Sequence, residues 1–98
     1  MKKLAESILQ DEKKCFITGS TTNLHRHHIM HGTANRKLAE EYGLWVWLRA
    51  DWHNGADYSV HNDHQLDLAL KRVAQEAFEA KYGHAKWMEV FGKNYIWE

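Results

Sequence analysis

Proline is missing from this sequence, and cysteine occurs once. The first absence excludes proline-rich linkers and tracts, and no repeat or low-complexity stretch takes their place. The second excludes an internal disulfide framework, because Cys15 has no partner, and it fits a reducing compartment. Long apolar runs are missing too, so no segment approaches the length that spans a bilayer. The opening Met1-Lys2-Lys3-Leu4-Ala5-Glu6 is charged and carries no signal-peptide apolar region. The expected location is therefore the cytoplasm, with no membrane partner. Net charge is also missing: 13 Lys and Arg balance 13 Asp and Glu when the histidines are neutral. That balance counts against binding nucleic acid through bulk positive charge. It leaves room for a local basic face, or for a site whose cation supplies the charge.

Histidine, by contrast, is abundant. Eight imidazoles occur in 98 residues, three of them within Leu24-His25-Arg26-His27-His28-Ile29. A chain of this length makes one domain, 1–98, with a small core. Five Trp, four Tyr and three Phe supply large pieces for that core.

Leu4 and Ile8, at i,i+4, predict a short helix over residues 2–10. Residues 11–14 are a polar break, and Cys15 to Gly19 is a brief apolar stretch that runs into turn-forming residues 19–23. Leu24 to Met30 reads as a strand, 32–35 as a loop, and Arg36 to Tyr42 as a helix ended by Gly43. Leu44 to Leu48 is the strongest strand signal. Trp45 and Trp47 are assigned one to each side of that strand. Residues 51–57 are polar. The longest helix follows from His64 to Tyr82, with a stripe of Leu66, Leu70, Val73, Ala77 and Phe78. Asp67, Lys71, Arg72, Glu76 and Glu79 are placed largely off that stripe. A last helix runs from Ala85 to Phe91 between Gly83 and Gly92, with Trp87, Met88 and Phe91 inward, and the tail after it packs back on the core. The order helix, strand, loop, strand, helix, helix predicts an α+β fold: a short two-stranded hairpin with flanking helices packed against it.

Adjacent strand residues point to opposite faces, so His27 and His28 serve one site only if a loop or bulge intervenes. His53 and His61 follow the second strand and approach Leu24–Ile29 if the strands pair as a hairpin. Two or three imidazoles around a divalent cation are ordinary zinc or nickel ligation. An unligated ring beside that cation is a candidate general base. His25, His31 and His64 are expected to face solvent, with His31 or His64 able to touch phosphate or complete the shell. His84 is expected to start a helix, and Cys15 to be a small buried hydrophobe. Arg36 and Lys37, at the start of the middle helix, are the candidate DNA-phosphate contacts.

Cys15-Phe16-Ile17-Thr18-Gly19, the His27-His28-Ile29 strand, Gly32 to Arg36, Gly43 to Leu48 and Trp52-His53-Asn54 together resemble a small HNH nuclease. The short HNH-like proteins of bacteriophages and prophages are most similar, and Val60-His61-Asn62, Gln75 to Phe78 and Phe91 to Tyr95 fit that group too. The resemblance implies a ββα-metal (HNH, His-Me finger) core over about 15–65, followed by C-terminal helices over 64–92. It implies a metal-dependent DNA endonuclease or nickase of phage or prophage origin, leaving a 5′ phosphate and a 3′ hydroxyl. In the roles it implies, His28 is the general base, His27 and His53 ligate one divalent ion (Mg, Mn, Zn or Ni), and His61 is the third ligand.

The chain departs from that pattern in three places. Cys15 stands alone with Thr18 in the partner slot, and the second cysteine pair falls on Arg49 and Trp52, so no structural zinc is expected. Phe16, Trp45, Trp47 and Trp52 then take over its structural role. The asparagine that braces the loop between the strands falls on Leu44, with Asn35 or Asn54 as replacements. These departures keep a second reading open: a non-cutting module of the same fold that grips DNA, or a phage or host protein, as an inhibitor does. A metal-buffering histidine protein is a third reading, but it has no need of this strand order.

Overall fold

The structure, a computed structural model, describes residues 6–96. Its elements are β1 (Leu24–His28), α1 (Thr33–Tyr42), β2 (Trp45–Arg49), α2 (Ala50–His53), α3 (His64–Tyr82) and α4 (His84–Phe91). The fold is α+β, with β1 and β2 forming a two-stranded antiparallel sheet. Among the described residues, no helix is long and apolar enough to cross a membrane.

The ladder pairs Leu24 with Arg49, His27 with Val46 and His28 with Trp45, one residue against one, without a bulge. His25 and His27 therefore share a face with Leu48 and Val46, while Arg26 and His28 share the other with Trp47 and Trp45. Trp45 and Trp47 are thus on one side of the strand, not one on each. Residues two apart on a strand share a face, and the two indole centroids lie 5.4 Å apart. Val46 and Leu48 are fully buried and join Cys15, Ile29, Leu44, Ala74, Phe78 and Trp87 in the core.

The connection between the strands carries α1. Its ends are closed by backbone bonds, from the Ile29 N–H to the Leu44 carbonyl (3.1 Å) and from the Leu44 N–H to the Ala39 carbonyl (2.8 Å). Main-chain bonds thus brace the connection, and Leu44 itself is fully buried. α1 begins at Thr33 rather than Arg36, so residues 33–35 are helical and not a loop; the Arg36 N–H bonds to the Gly32 carbonyl in the first turn. Gly43 ends α1 in the left-handed conformation (φ 71°). A Cβ there would stand 2.1 Å from the Glu6 carbonyl oxygen, so glycine is required by close approach as well as by φ.

Residues 6–10 form no helix; residues 2–5 of the expected N-terminal helix lie outside the described residues. The segment instead runs along the outer side of β2. The Ser7 hydroxyl donates to the Trp45 carbonyl (2.6 Å), the Trp47 N–H donates to Gln10 Oε1 (2.6 Å), and the Phe16 N–H donates to the Trp47 carbonyl (2.8 Å). An edge strand presents unpaired backbone groups, and satisfying them outweighs the weak preference of a short isolated helix. After this segment, the Cys15 N–H bonds to the Ser20 carbonyl (2.7 Å) and the Gly19 N–H to the Cys15 carbonyl (2.8 Å). That tight loop is closed by its own backbone, and Cys15 is buried within the core as expected.

α3 starts where the Asp63 carboxylate accepts from the Gln65 and Leu66 N–H groups. Its buried stripe is Asp67, Leu70, Ala74, Gln75 and Phe78, while Val73 is 38% exposed. The stripe lies one position round from the sequence expectation because the helix offers its 67–70–74–78 line to the core. Trp87 of α4 packs edge-on against Phe78, with ring centroids 5.4 Å apart. Gln75 then pins the tail, donating to Asn94 Oδ1 (2.9 Å) and accepting from the Tyr95 N–H (2.7 Å).

Candidate metal centre

Three elements position the central rings. β1 places His27 on the core-facing side of the sheet, 1% exposed. α2 follows β2 directly, and its first N–H bonds to the Asn23 carbonyl just before β1 (2.7 Å), so its last residue, His53, is held over the same face. The turn after α2 is tied back by the Val60 N–H to the Trp52 carbonyl (2.8 Å) and by the Asn62 side chain to the Ala56 carbonyl (2.9 Å). Buried Val60 anchors that turn, and His61 beside it swings to His53. No helical spacing relates these two histidines, which lie eight residues apart; the turn brings them together.

Ligand atoms of His27, His53 and His61 all lie within 4.8 Å of one another. The ring centroids are separated by 5.3 Å (27 to 53), 5.5 Å (27 to 61) and 4.8 Å (53 to 61). Nε2 of His53 and Nε2 of His61 are 3.2 Å apart. Two nitrogens on a tetrahedral zinc stand about 3.3–3.4 Å apart, given bonds of roughly 2.0–2.1 Å. Nε2 of His27 is buried with no hydrogen-bond partner among the described residues. Leaving such an atom unpaired costs about 1–3 kcal/mol, and a cation within reach of its lone pair removes that cost. The donor set thus fits a divalent ion, and imidazole nitrogen favours zinc, nickel, copper or cobalt over magnesium.

Burial favours the neutral form of two of these rings, His27 and His53, and ligation requires that form. Burial, reinforced by His53, His31 and His61, pushes His27 down to about 3. Burial, with His61, His25 and His28 around it, pushes His53 down to about 4.

His28 does not join that triangle. It lies on the opposite face of β1, and its Nε2 contacts Oε1 of Glu40 from α1. The Arg26 guanidinium holds both oxygens of the same carboxylate at 3.1 Å and stacks 3.9 Å over the Trp45 ring. Burial raises the Glu40 carboxyl, but the His28 and Arg26 hydrogen bonds outweigh it and hold the group below its usual range. No bulge turns the two rings to one face, but His27 and His28 both line a cavity of about 360 Å³, together with His31, His53, His61 and Arg36. Of the two candidate phosphate contacts, exposed Arg36 lines this cavity; Lys37 is exposed but does not.

His31 is less free than expected. It stands 5.7 Å from the His27 ring, and its Nε2 bonds Oδ1 of Asp67 (2.9 Å), whose Oδ2 accepts from Lys71 (2.8 Å). Burial raises Asp67, but Lys71 and His31 prevail and hold it below the usual carboxylate range. A second group of donors, His27, His31 and Asp67, is gathered within 4.8 Å. The Lys71 ammonium occupies that carboxylate, which makes Asp67 an orienting group for His31. His64 starts α3 exposed, and His84 starts α4 against Glu79 (2.7 Å).

Sequence reasoning missed Glu40, and nothing in local spacing marks it, because only the packing of α1 beside β1 brings it to His28. Asp67 was placed with the solvated charges. Its i,i+3 and i,i+7 relation to Leu70 and Ala74 carried the signal that it lies on the buried stripe. His25 was assigned to solvent, and though exposed it touches His53, with Nδ1 to Nδ1 at 3.1 Å. No family model, curated protein or solved structure matches the chain.

Proposed function

We propose that this chain is a metal-dependent phosphodiester hydrolase with a ββα-metal (HNH-type) core that cuts or nicks DNA. The observation that carries the reading is the convergence of His27, His53 and His61 in a cavity that His28, held from behind by the Glu40 carboxylate, also lines. His27, His53 and His61 would hold one divalent cation. When bound, that cation supplies Lewis acidity to a phosphate oxygen and to the leaving 3′ oxygen. His28 is the general base. With its Nε2 proton donated to Glu40, its Nδ1 keeps the lone pair that takes a proton from the attacking water. Glu40 fixes that tautomer and stabilises the imidazolium that follows, as a carboxylate does in a hydrolytic triad. Arg36, exposed on the cavity rim, is placed to hold the substrate phosphate.

The test is plasmid cutting. Supercoiled plasmid incubated with the protein and manganese, magnesium, nickel or zinc should relax to nicked or linear forms, and His28→Ala should stop this without lowering metal content. A His28→Ala protein that cuts like wild type removes His28 from the mechanism. The zero net charge favours one second reading, a non-cutting module of the same fold. A wild-type protein inert with every metal, yet shifting DNA or a protein partner on a gel, establishes that reading instead.

A further inference from the structure

We propose that His25 is the positioning residue of the cation site: its Nδ1 accepts the Nδ1 proton of His53 and so commits Nε2 of His53 to the ion. The inference rests on the cation site proposed above, and it assigns a role to an exposed ring that otherwise has none.

Both nitrogens of His53 are engaged. Nδ1 stands 3.1 Å from Nδ1 of His25, and Nε2 stands 3.2 Å from Nε2 of His61. A neutral imidazole has one proton and one lone pair, on different nitrogens. Ligation through Nε2 requires the lone pair there and the proton on Nδ1. That proton needs an acceptor, and Nδ1 of His25 is within hydrogen-bond distance to be one. The opposite tautomer of His53 would put a proton into the space between the three ligand rings. The two rings are set at 88°, so the contact is not a stacking one.

The fold makes this pairing a consequence of strand geometry. His25 and His27 are two residues apart and share a face of β1, so one strand supplies both the buried ligand and the group that aims the next ligand. The bond from the Ala50 N–H to the Asn23 carbonyl fixes α2 against the same strand end, which holds His53 in register with His25. Partners of this kind orient a ligating imidazole, and their loss typically costs about 10- to 100-fold in metal affinity. His25 is exposed and outside the core cluster, so its replacement leaves the fold in place.

Cobalt(II) titration of the full chain, followed by visible absorption, tests this with two variants. His25→Leu removes the acceptor; His25→Asn puts a carbonyl oxygen close to where Nδ1 was. Leu should weaken cobalt binding by about 10- to 100-fold, and Asn should restore most of the loss. Long-range ¹⁵N spectra of the zinc-loaded wild type should show His53 protonated at Nδ1. Wild-type affinity in His25→Leu overturns the inference. So does equal weakening in both variants with unchanged circular dichroism, because the acceptor is then not what matters. Failure of the wild type itself to bind cobalt overturns the cation site, and the inference falls with it.

Discussion

At the scale of single residues, the proposed mechanism asks opposite things of two histidines a peptide bond apart. His27 must stay neutral. In metal-free protein its folded value is pushed down to about 3, whereas the unfolded imidazole sits near 6.5. Between roughly pH 6.5 and 3 the unfolded state binds the extra proton, so stability falls as pH falls through that window. Urea unfolding in EDTA should show a lower midpoint at pH 5 than at pH 7, and His27→Gln should shrink the difference. An unchanged difference in that variant removes His27 as its source. In the proposed mechanism His28 instead accepts a proton, and the Glu40 carboxylate that contacts it orients it for that. Glu40→Gln should slow plasmid nicking by about tenfold or more, a share of the roughly 10²–10⁴-fold that a placed base contributes. Metal affinity should not change, since Glu40 touches none of the three ligand rings; a parallel loss of metal would show a different role.

At the scale of elements, β2, α3 and α4 were legible because each carries a strong periodic or β-forming pattern. The three rings that the resemblance implied as ligands, His27, His53 and His61, do lie together. What the sequence hid depends on contacts between elements. The N-terminal segment follows an i,i+4 pattern but runs along the edge of β2, whose unpaired groups claim its backbone. Glu40 reaches His28 only after α1 folds back on β1, and no local rule anticipates that. The α3 stripe was misread by one position, which turned Asp67 from a buried partner of His31 into a surface charge. The crossing of Gly43 with Glu6 makes a further element-level prediction. Gly43→Ala forces a left-handed alanine, at about 1–3 kcal/mol, and displaces the N-terminal segment as well. Urea denaturation should record a loss of at least that size; a neutral effect would mean that the segment is not held there.

At the scale of the whole molecule, an ion held by the three histidines from β1, α2 and the following turn would tie three pieces of chain together. Binding to the folded state alone stabilises it by about 2.7 kcal/mol at a hundred times Kd. For a domain of this length that is a Tm rise of roughly 10–20 °C. Zinc or nickel should produce it, EDTA should reverse it, and His27→Gln should abolish it. A thermal shift of the same size in His27→Gln would place the ion elsewhere. The one-to-one pairing of β1 with β2 has a further consequence. Because consecutive side chains face opposite ways, His27 depends on His53 and His61 while His28 depends on Glu40. On the proposed mechanism the two tasks are therefore separable: a substitution in α1 that releases His28 would weaken proton transfer and leave the three-histidine site as it was.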